Sequence, residues 1–398
     1  MKKMGLCTFI IIILVNTNNV FYEAHFNNRP ILIDDLVNSL QKYEEWISNN
    51  YIINGTFIED VGYPFYLSGF SELYRGLCLY KSNAYLNKYN EILSHIIKIQ
   101  SNWTWSSKEV GAHPHYSTHF AKIFYDAYIY TKNETYLSSF INTTLSLTNF
   151  YSGEYIYPSY NANFYAFVIL AKALYHNLIP LQYSQFASQL FNYSLTYYNE
   201  NTHTWFQFTS PTFANGYDGR AAYYQLISLI WFLANEEAIQ VTFPTFYEKL
   251  LEISKYSIAL VEKYLLKSGT YYYTPEAPDY TESASAVMYG FTLIDKYFNT
   301  DHSYNIKTSI QTILQRQRDD GAYFKTNNTI VEVWYTDNIP FYCFDFLQLF
   351  TKSETGIYFL SVGIPISLLI LVIFITNNIY RNKFLIKNRK LNNTNENC

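Results

Sequence analysis

Along this chain, segments in which apolar residues return every three or four positions alternate with stretches that lack the pattern. From Phe246 to Tyr264, Phe246, Leu250, Ile253, Leu260 and Tyr264 fall at steps of three, four or seven, while Glu248, Lys249, Glu252, Lys255, Glu262 and Lys263 take the other face. That is an amphipathic surface helix. Other segments are apolar nearly all round: Ala221 to Leu233 has no charge in 13 residues, and Phe164 to Ala171 has none. Such helices have to be buried. The pattern predicts twelve helices, over residues 30–50, 66–81, 83–101, 114–131, 134–149, 161–177, 181–199, 217–236, 243–267, 281–298, 302–317 and 336–350.

Long loops interrupt them at a regular interval. Phe57, Trp105, Tyr155, Trp205, Tyr271 and Tyr323 open these loops at steps of 48, 50, 50, 66 and 52, and Gly55, Gly153, Gly269 and Gly321 stand two residues before four of them. A glycine there fits a helix end followed by an extended turn. With helical periodicity inside the unit, a period near 50 means hairpins: amphipathic helix, long aromatic loop, apolar helix, short turn. The amphipathic set is expected outside and the apolar set inside. Six hairpins so arranged resemble the (α/α)6 toroid of six-hairpin glycosidases and related lyases and epimerases, over about residues 30–351. The fold class is therefore all-α. Ring closure would set the first hairpin beside the sixth, whose inner helices carry Cys78 and Cys343. Two outcomes stay open for them, a closing disulfide and a pair of buried thiols.

The ends of the chain change the picture. Met-Lys-Lys and an apolar run from Met4 to Val15 are too short for a span and fit a signal peptide within residues 1–24. Gly356 to Thr376 is 21 residues without a charge, enough to cross a bilayer core of about 30 Å. Arg381, Lys383, Lys387, Arg389 and Lys390 then place the tail, 377–398, on the cytoplasmic side. The expectation is a single-pass type I protein of the cell membrane with its large domain outside. Asn-X-Ser/Thr triplets at Asn54, Asn102, Asn133, Asn142, Asn192 and Asn327 all fall in that outer domain, as glycosylation would require.

Composition narrows the function. The 398 residues carry a net charge of −4, which gives no basic stripe for nucleic acid, and only 15 % are charged, which argues against disorder. Tyr, Phe and Trp make up 20 %, and Tyr and Trp offer sugars a flat apolar face with a polar tip. No phosphate loop or zinc spacing is present, so neither cofactor nor metal is expected. The expected partners are a carbohydrate or glycan ligand and the membrane.

In such a ring the long loops gather over the N-terminal ends of the inner helices, whose free amides favour anions. Three histidines, His113, His115 and His119, crowd one of these ends and could move protons near neutral pH. At another, Asp218 is a natural cap, and Arg220 precedes the charge-free run and needs an acid or an anionic ligand beside it. In the fifth repeat, Glu282-Ser-Ala-Ser285-Ala-Val-Met288-Tyr289 resembles the inner helix of unsaturated glucuronyl and rhamnogalacturonyl hydrolases. Those hydrolases carry an essential Asp above an early inner helix, where this chain has His113 and His115. Arg220-Ala-Ala-Tyr223-Tyr224 is fainter in its likeness to uronate lyases, which implies β-elimination by His115, Arg220 and Tyr223 or Tyr224. An acid pair for hydrolysis would be Glu282 with Asp218 or Asp337.

The candidate catalytic residues are thus Asp218, Glu282, His115, Arg220 and Asp337. Candidate substrate contacts are Trp105, His113, Tyr157, Tyr160, Tyr223, Tyr224, Tyr273 and Trp334. The expected function is a surface-anchored glycoside hydrolase or polysaccharide lyase. The alternative is a non-catalytic glycosylated envelope or receptor domain on the same toroid. Isoprenoid chemistry is disfavoured because no Asp-rich metal motif occurs.

Overall fold

A computed structural model of the chain describes residues 29–53, 56–57, 64–107, 111–201, 203–205, 218–271, 279–325 and 338–349. The expected signal peptide, span and tail lie outside these residues, as do Asn54, Tyr273, Asn327, Trp334 and Asp337 and the side chains of Asp218 and Arg220. Among the described residues no helix is long and apolar enough to cross a membrane. The chain divides into two compact units, up to Phe346 and from Leu347 onward, and the ring described below is the first.

Six hairpins build it. The outer helices are α1 (Arg29–Asn50), α3 (Leu86–Lys98), α5 (Glu134–Ser146), α7 (Tyr183–Leu195), α10 (Pro244–Tyr264) and α12 (Ser303–Gln315). The inner helices are α2 (Phe65–Tyr80), α4 (Pro114–Thr131), α6 (Tyr160–Tyr175), α8 (Asp218–Leu233), α11 (Thr281–Phe298) and α13, described over residues 338–349. Three two-stranded ribbons sit in the long loops: Ile52–Ile53 with Thr56–Phe57, Ser106–Ser107 with Gly111–Ala112, and Tyr198–Asn199 with Thr204–Trp205. One element is not predicted by the pattern. The two-turn helix α9 (Glu236–Thr242) fills the connection between α8 and α10, too short for its periodicity to register.

The inner and outer sets separate as the hydrophobic pattern requires. In α6, 14 residues from Tyr160 to Leu174 are buried, whereas α10 buries only a stripe through Leu250, Ile253, Ser254, Ser257, Ile258 and Val261. Each inner helix packs on the next, α2 on α4, α4 on α6, α6 on α8 and α8 on α11. Asn338 and Tyr342 meet Glu282 and Tyr289 on α11, and Asp345 meets Arg75 on α2, which closes the circle. Outside, the Ser39 hydroxyl of α1 lies 2.7 Å from the Tyr323 hydroxyl, and the Gln317 amide donates to Ser39 O at 2.6 Å.

The repeated aromatic residues pin the loops to the ring. Trp105, Trp205, Tyr271 and Tyr323 are buried. Two of them reach back to the outer helix they follow: Trp105 Nε1 donates to Ile96 O at 2.9 Å, and Tyr271 Oη to Val261 O at 2.6 Å. Gly153, Gly269 and Gly321 have φ of +103°, +69° and +95°, the left-handed region that a residue with a Cβ enters at a cost.

Of the two outcomes open to the cysteines, the structure has the pair of buried thiols and not the disulfide. Cys78 and Cys343 are free, buried thiols. They face different neighbours: Cys78 interacts with Tyr130 on α4, while Cys343 lies near Tyr323 on the side of α1. Phe344 occupies the contact between their helices, packed over Gly76, where no Cβ would fit.

Candidate active site

The loop end of α11 is fixed before its functional side chain is considered. Asp279 pairs with Arg316 at 2.7 Å and accepts from Ser268 at 2.9 Å and Thr270 at 2.5 Å. Thr281 donates through its backbone to Lys325 O at 2.9 Å and through its hydroxyl to Phe324 O at 2.6 Å. The Ser283 hydroxyl accepts from Tyr271 N at 3.0 Å, and that of Ser285 donates to Glu282 O at 2.7 Å. The hydroxyls of the Thr-Glu-Ser-Ala-Ser run thus fasten the helix start.

Glu282 projects between three inner helices. Its Oε1 accepts from the Tyr223 hydroxyl of α8 at 3.4 Å and its Oε2 from the Asn338 amide of α13 at 3.1 Å. Burial pushes the carboxyl up to about 7, and the bonds from Asn338 and Tyr223 and the Lys325 charge only partly offset it. Asp279, the other described acid at this end of α11, is neutralised by Arg316. Glu282 has no ion pair among the described residues and stands near half protonation at neutral pH.

The histidines belong to another inner helix. On α4, His115, His119, Lys122 and Asp126 follow at steps of four, three and four and form the helix's inner stripe. His113 caps α4, its Nδ1 accepting from His115 N at 3.2 Å, and its ring lies 4.2 Å from that of Tyr157. Burial lowers His113 to about 4 and His119 to about 3, and burial, with the neighbouring imidazoles of His119 and His113, also holds His115 well below the ordinary histidine value. Burial therefore favours the uncharged form of all three rings. Below them Tyr165 and Trp231 stack at 4.6 Å, with His119 edge-on to Trp231 at 5.5 Å.

Further along the inner helices, α2, α4 and α13 bring together five charged side chains that the sequence pattern does not single out. Arg75 pairs with Glu72 and lies 3.0 Å from Asp345, and Lys122 bonds Asp126 at 2.9 Å and Asp345 at 3.0 Å. Burial keeps Glu72 above the usual carboxylate range despite Arg75 and Lys122, whereas for Asp126 burial is outweighed by Lys122, Arg75 and Lys172. Oxygens of Glu72, Asp126 and Asp345 lie within 4.8 Å of one another, close enough to hold a metal ion. They do not fit one well, because Arg75 and Lys122 already stand where its charge would be. The pairs Glu72/Arg75 and Lys122/Asp126, at i,i+3 and i,i+4 inside otherwise apolar helices, were the signal that could have revealed the network.

Several candidate platforms belong to packing instead. Trp105 is 1 % exposed with its indole N–H bonded. Tyr160 is fully buried, its hydroxyl bonded to Tyr224 O at 3.0 Å and its ring 5.1 Å from that of Trp205. Neither offers a sugar a free face. Tyr157 and Tyr224 remain partly exposed, and Tyr223 serves Glu282. Of the described sequons, Asn102, Asn133 and Asn192 are exposed and Asn142 is half-buried.

Tyr160, the first residue of α6, meets Tyr224 and Ser228, the seventh and eleventh of α8, through its hydroxyl.

No family model matches the chain, and no curated protein does either. Solved structures do. An α-mannanase of glycoside hydrolase family 76 from Bacteroides thetaiotaomicron is similar with a TM-score of 0.59 at 12 % identity, over 83 % of this chain and 99 % of that one. An unsaturated glucuronyl hydrolase from Bacillus sp. GL1, responsible for the degradation of glycosaminoglycan, gives 0.58 at 11 %, over 78 % and 96 %. A polysaccharide lyase gives 0.58 at 10 %, over 80 % and 98 %. The fold is the six-hairpin glycosidase-like toroid. At such identities the likeness defines the class of architecture and leaves the reaction to the residues.

Proposed function

We propose that the chain is a glycan-acting enzyme in which Glu282 is the general acid of a glycoside hydrolase. The observation that carries this reading is a buried carboxyl at the loop end of an inner helix, raised to about 7 and held by two neutral donors. A group of that kind is still protonated in a large fraction of molecules at neutral pH and can give its proton to a leaving oxygen. The fold's neighbours, hydrolases and a lyase, support the same class of substrate. Asp218 and Asp337 are the proposed partners of Glu282, and Tyr157 and Tyr224 the proposed sugar contacts. The lyase reading, with His115, Arg220 and Tyr223, is weaker because His115 is held far below its ordinary range and Tyr223 is engaged by Glu282. We also propose that the enzyme is anchored by residues 356–376 with the ring outside the cell.

One observation favours a non-catalytic domain: Glu282 is only 5 % exposed and also ties α8, α11 and α13 together. The two readings separate when the full chain, purified in detergent, is incubated with a panel of neutral and uronate-containing polysaccharides. Reducing ends report hydrolysis, and ultraviolet absorbance reports unsaturated lyase products. Turnover that falls at least about 100-fold in Glu282→Gln supports the hydrolase. Binding without turnover by either chain favours the non-catalytic domain, and neither binding nor turnover across the panel ends the glycan reading.

A further inference from the structure

Glu282 has two carboxyl oxygens, and partners of different kinds hold them. Oε2 accepts from the Asn338 amide of α13 at 3.1 Å, while Oε1 faces the Tyr223 hydroxyl of α8 at 3.4 Å. Asn338 meets α11 a second time through its main chain. The Ser285 hydroxyl, which donates to Glu282 O at 2.7 Å, also points at Asn338 O at 3.3 Å. Side chain and main chain of Asn338 are thus both fastened within one turn of α11, which fixes where its amide stands.

The two partners differ in what they can do. An amide nitrogen carries hydrogens and offers no lone pair, so it only donates. The oxygen it faces cannot hold the carboxyl proton towards it. A phenol hydroxyl donates and accepts, and turns its hydrogen to suit. With the proton on Oε1, Oε2 is the carbonyl oxygen of the acid and accepts from Asn338, and the Tyr223 hydroxyl accepts from Oε1–H. With the proton gone, the amide stays as it is and the hydroxyl turns to donate. One oxygen is fixed as an acceptor and the other is free to gain and lose a proton. The charged groups nearby give that proton no other acceptor: Asp279 is taken by Arg316 of α12, Ser268 and Thr270, and Lys325 only donates.

We propose that Asn338 is a positioning residue that keeps the proton of Glu282 on Oε1, so that the acid delivers it on the side of α8. The delivery rests on Glu282 being the general acid, as proposed above; the place of the proton does not. In the step, the Oε1–H bond breaks and an O–H bond forms on the leaving oxygen. The electron pair of the sugar's C–O bond goes to that oxygen, which departs as a hydroxyl group, and water completes the hydrolysis at the sugar carbon. The pair from Oε1–H stays on the carboxylate, where the Tyr223 hydroxyl donates to it. Tyr224, partly exposed and with its ring 5.7 Å from that of Tyr223, then stands on the side of the leaving group.

Infrared difference spectra of the full chain in detergent, between pH 5 and pH 9, read the carboxyl proton directly. The acid carbonyl band that Glu282→Gln removes is that of Glu282. An accepted hydrogen bond lowers the frequency of such a band, so Asn338→Ala should move it up, whereas Tyr223→Phe, which leaves Oε2 untouched, should move it much less. Loss of the amide should also raise the pH at which the band disappears by about one unit. Asn338→Asp keeps the shape of the side chain and should likewise hold the band to higher pH, which keeps the test open if the alanine variant does not fold. A band moved by Tyr223→Phe and not by Asn338→Ala puts the proton on Oε2 and overturns the proposal, as does a band that neither variant moves or the lack of any band assignable to Glu282. Turnover separates this from the glycan reading. If the polysaccharide panel shows hydrolysis, Asn338→Ala should keep KM within about twofold and carry the alkaline fall of kcat about one pH unit higher. A raised KM with that fall unmoved is what a merely structural residue would give, and overturns the positioning role. Band shifts as expected without hydrolysis of any polysaccharide would end the acid role of Glu282 and support the place of its proton.

Discussion

Glu282 shows how one side chain joins stability to chemistry. Its folded pKa of about 7 lies above the ordinary carboxylate value, so the folded state holds the proton after the unfolded state has lost it. The sign is fixed: the contribution is complete below about pH 4 and is lost as pH rises through 7, a fall of about 3 kcal/mol. Urea unfolding at pH 4.5 and 8 should show this slope in the native chain and its loss in Glu282→Gln. If Glu282 is the acid, kcat of the native chain should also decline above about pH 7. The buried charges further along the inner helices respond differently. Arg75→Met leaves Glu72, Asp126 and Asp345 to share the single cation Lys122 and should cost about 3–5 kcal/mol in urea unfolding, while Glu72→Gln in the same chain should restore part of it. Glu282 was legible because its motif is local. Its partners Tyr223 and Asn338, at separations of 59 and 56 residues, were assembled only by folding, as was the charge network.

At the scale of elements, helix bounds followed from periodicity to within a few residues, because an inner helix differs from an outer one on every turn. What periodicity leaves open is rotation and height. The thiols of Cys78 and Cys343 sit on neighbouring helices yet meet different partners, Tyr130 for the first and Tyr323 for the second. The fifth hairpin carries a device of its own. His302 bridges Asp295 at 2.5 Å, at the end of α11, and Glu262 at 2.8 Å, on α10, with the Phe291 ring against it at 4.4 Å. Burial opposes its charge, but the two carboxylates raise it above the ordinary histidine value. The clamp is therefore complete below about pH 6.5 and is lost as pH climbs through the raised value. His302→Gln should lower stability by about 2 kcal/mol at pH 5.5 and by less at pH 9, as read from thermal unfolding at both.

For the molecule as a whole, closure is the demanding step. Gly76 lies under the Phe344 ring and Gly321 under the Lys42 carbonyl, so a methyl group at either would have to part the first and sixth hairpins. Gly321 also has φ +95°. Gly76→Ala and Gly321→Ala should each destabilise by at least about 2 kcal/mol, read by urea unfolding, with helical circular dichroism preserved in what remains folded. Such contacts join residues far apart in the chain, 284 positions in the case of Ser39 and Tyr323. The ribosome makes that separation a matter of time. When five hairpins have emerged they can stack only as an open arc, and both of its flanks, the edge of α1 and α2 and the edge of the newest pair, stay bare until the sixth arrives. A product that stops near residue 300 would keep most of its helices and yet have two sticky edges, each shaped to receive a hairpin. Fragments of this chain are therefore expected to join end to end, where the finished protein meets only itself.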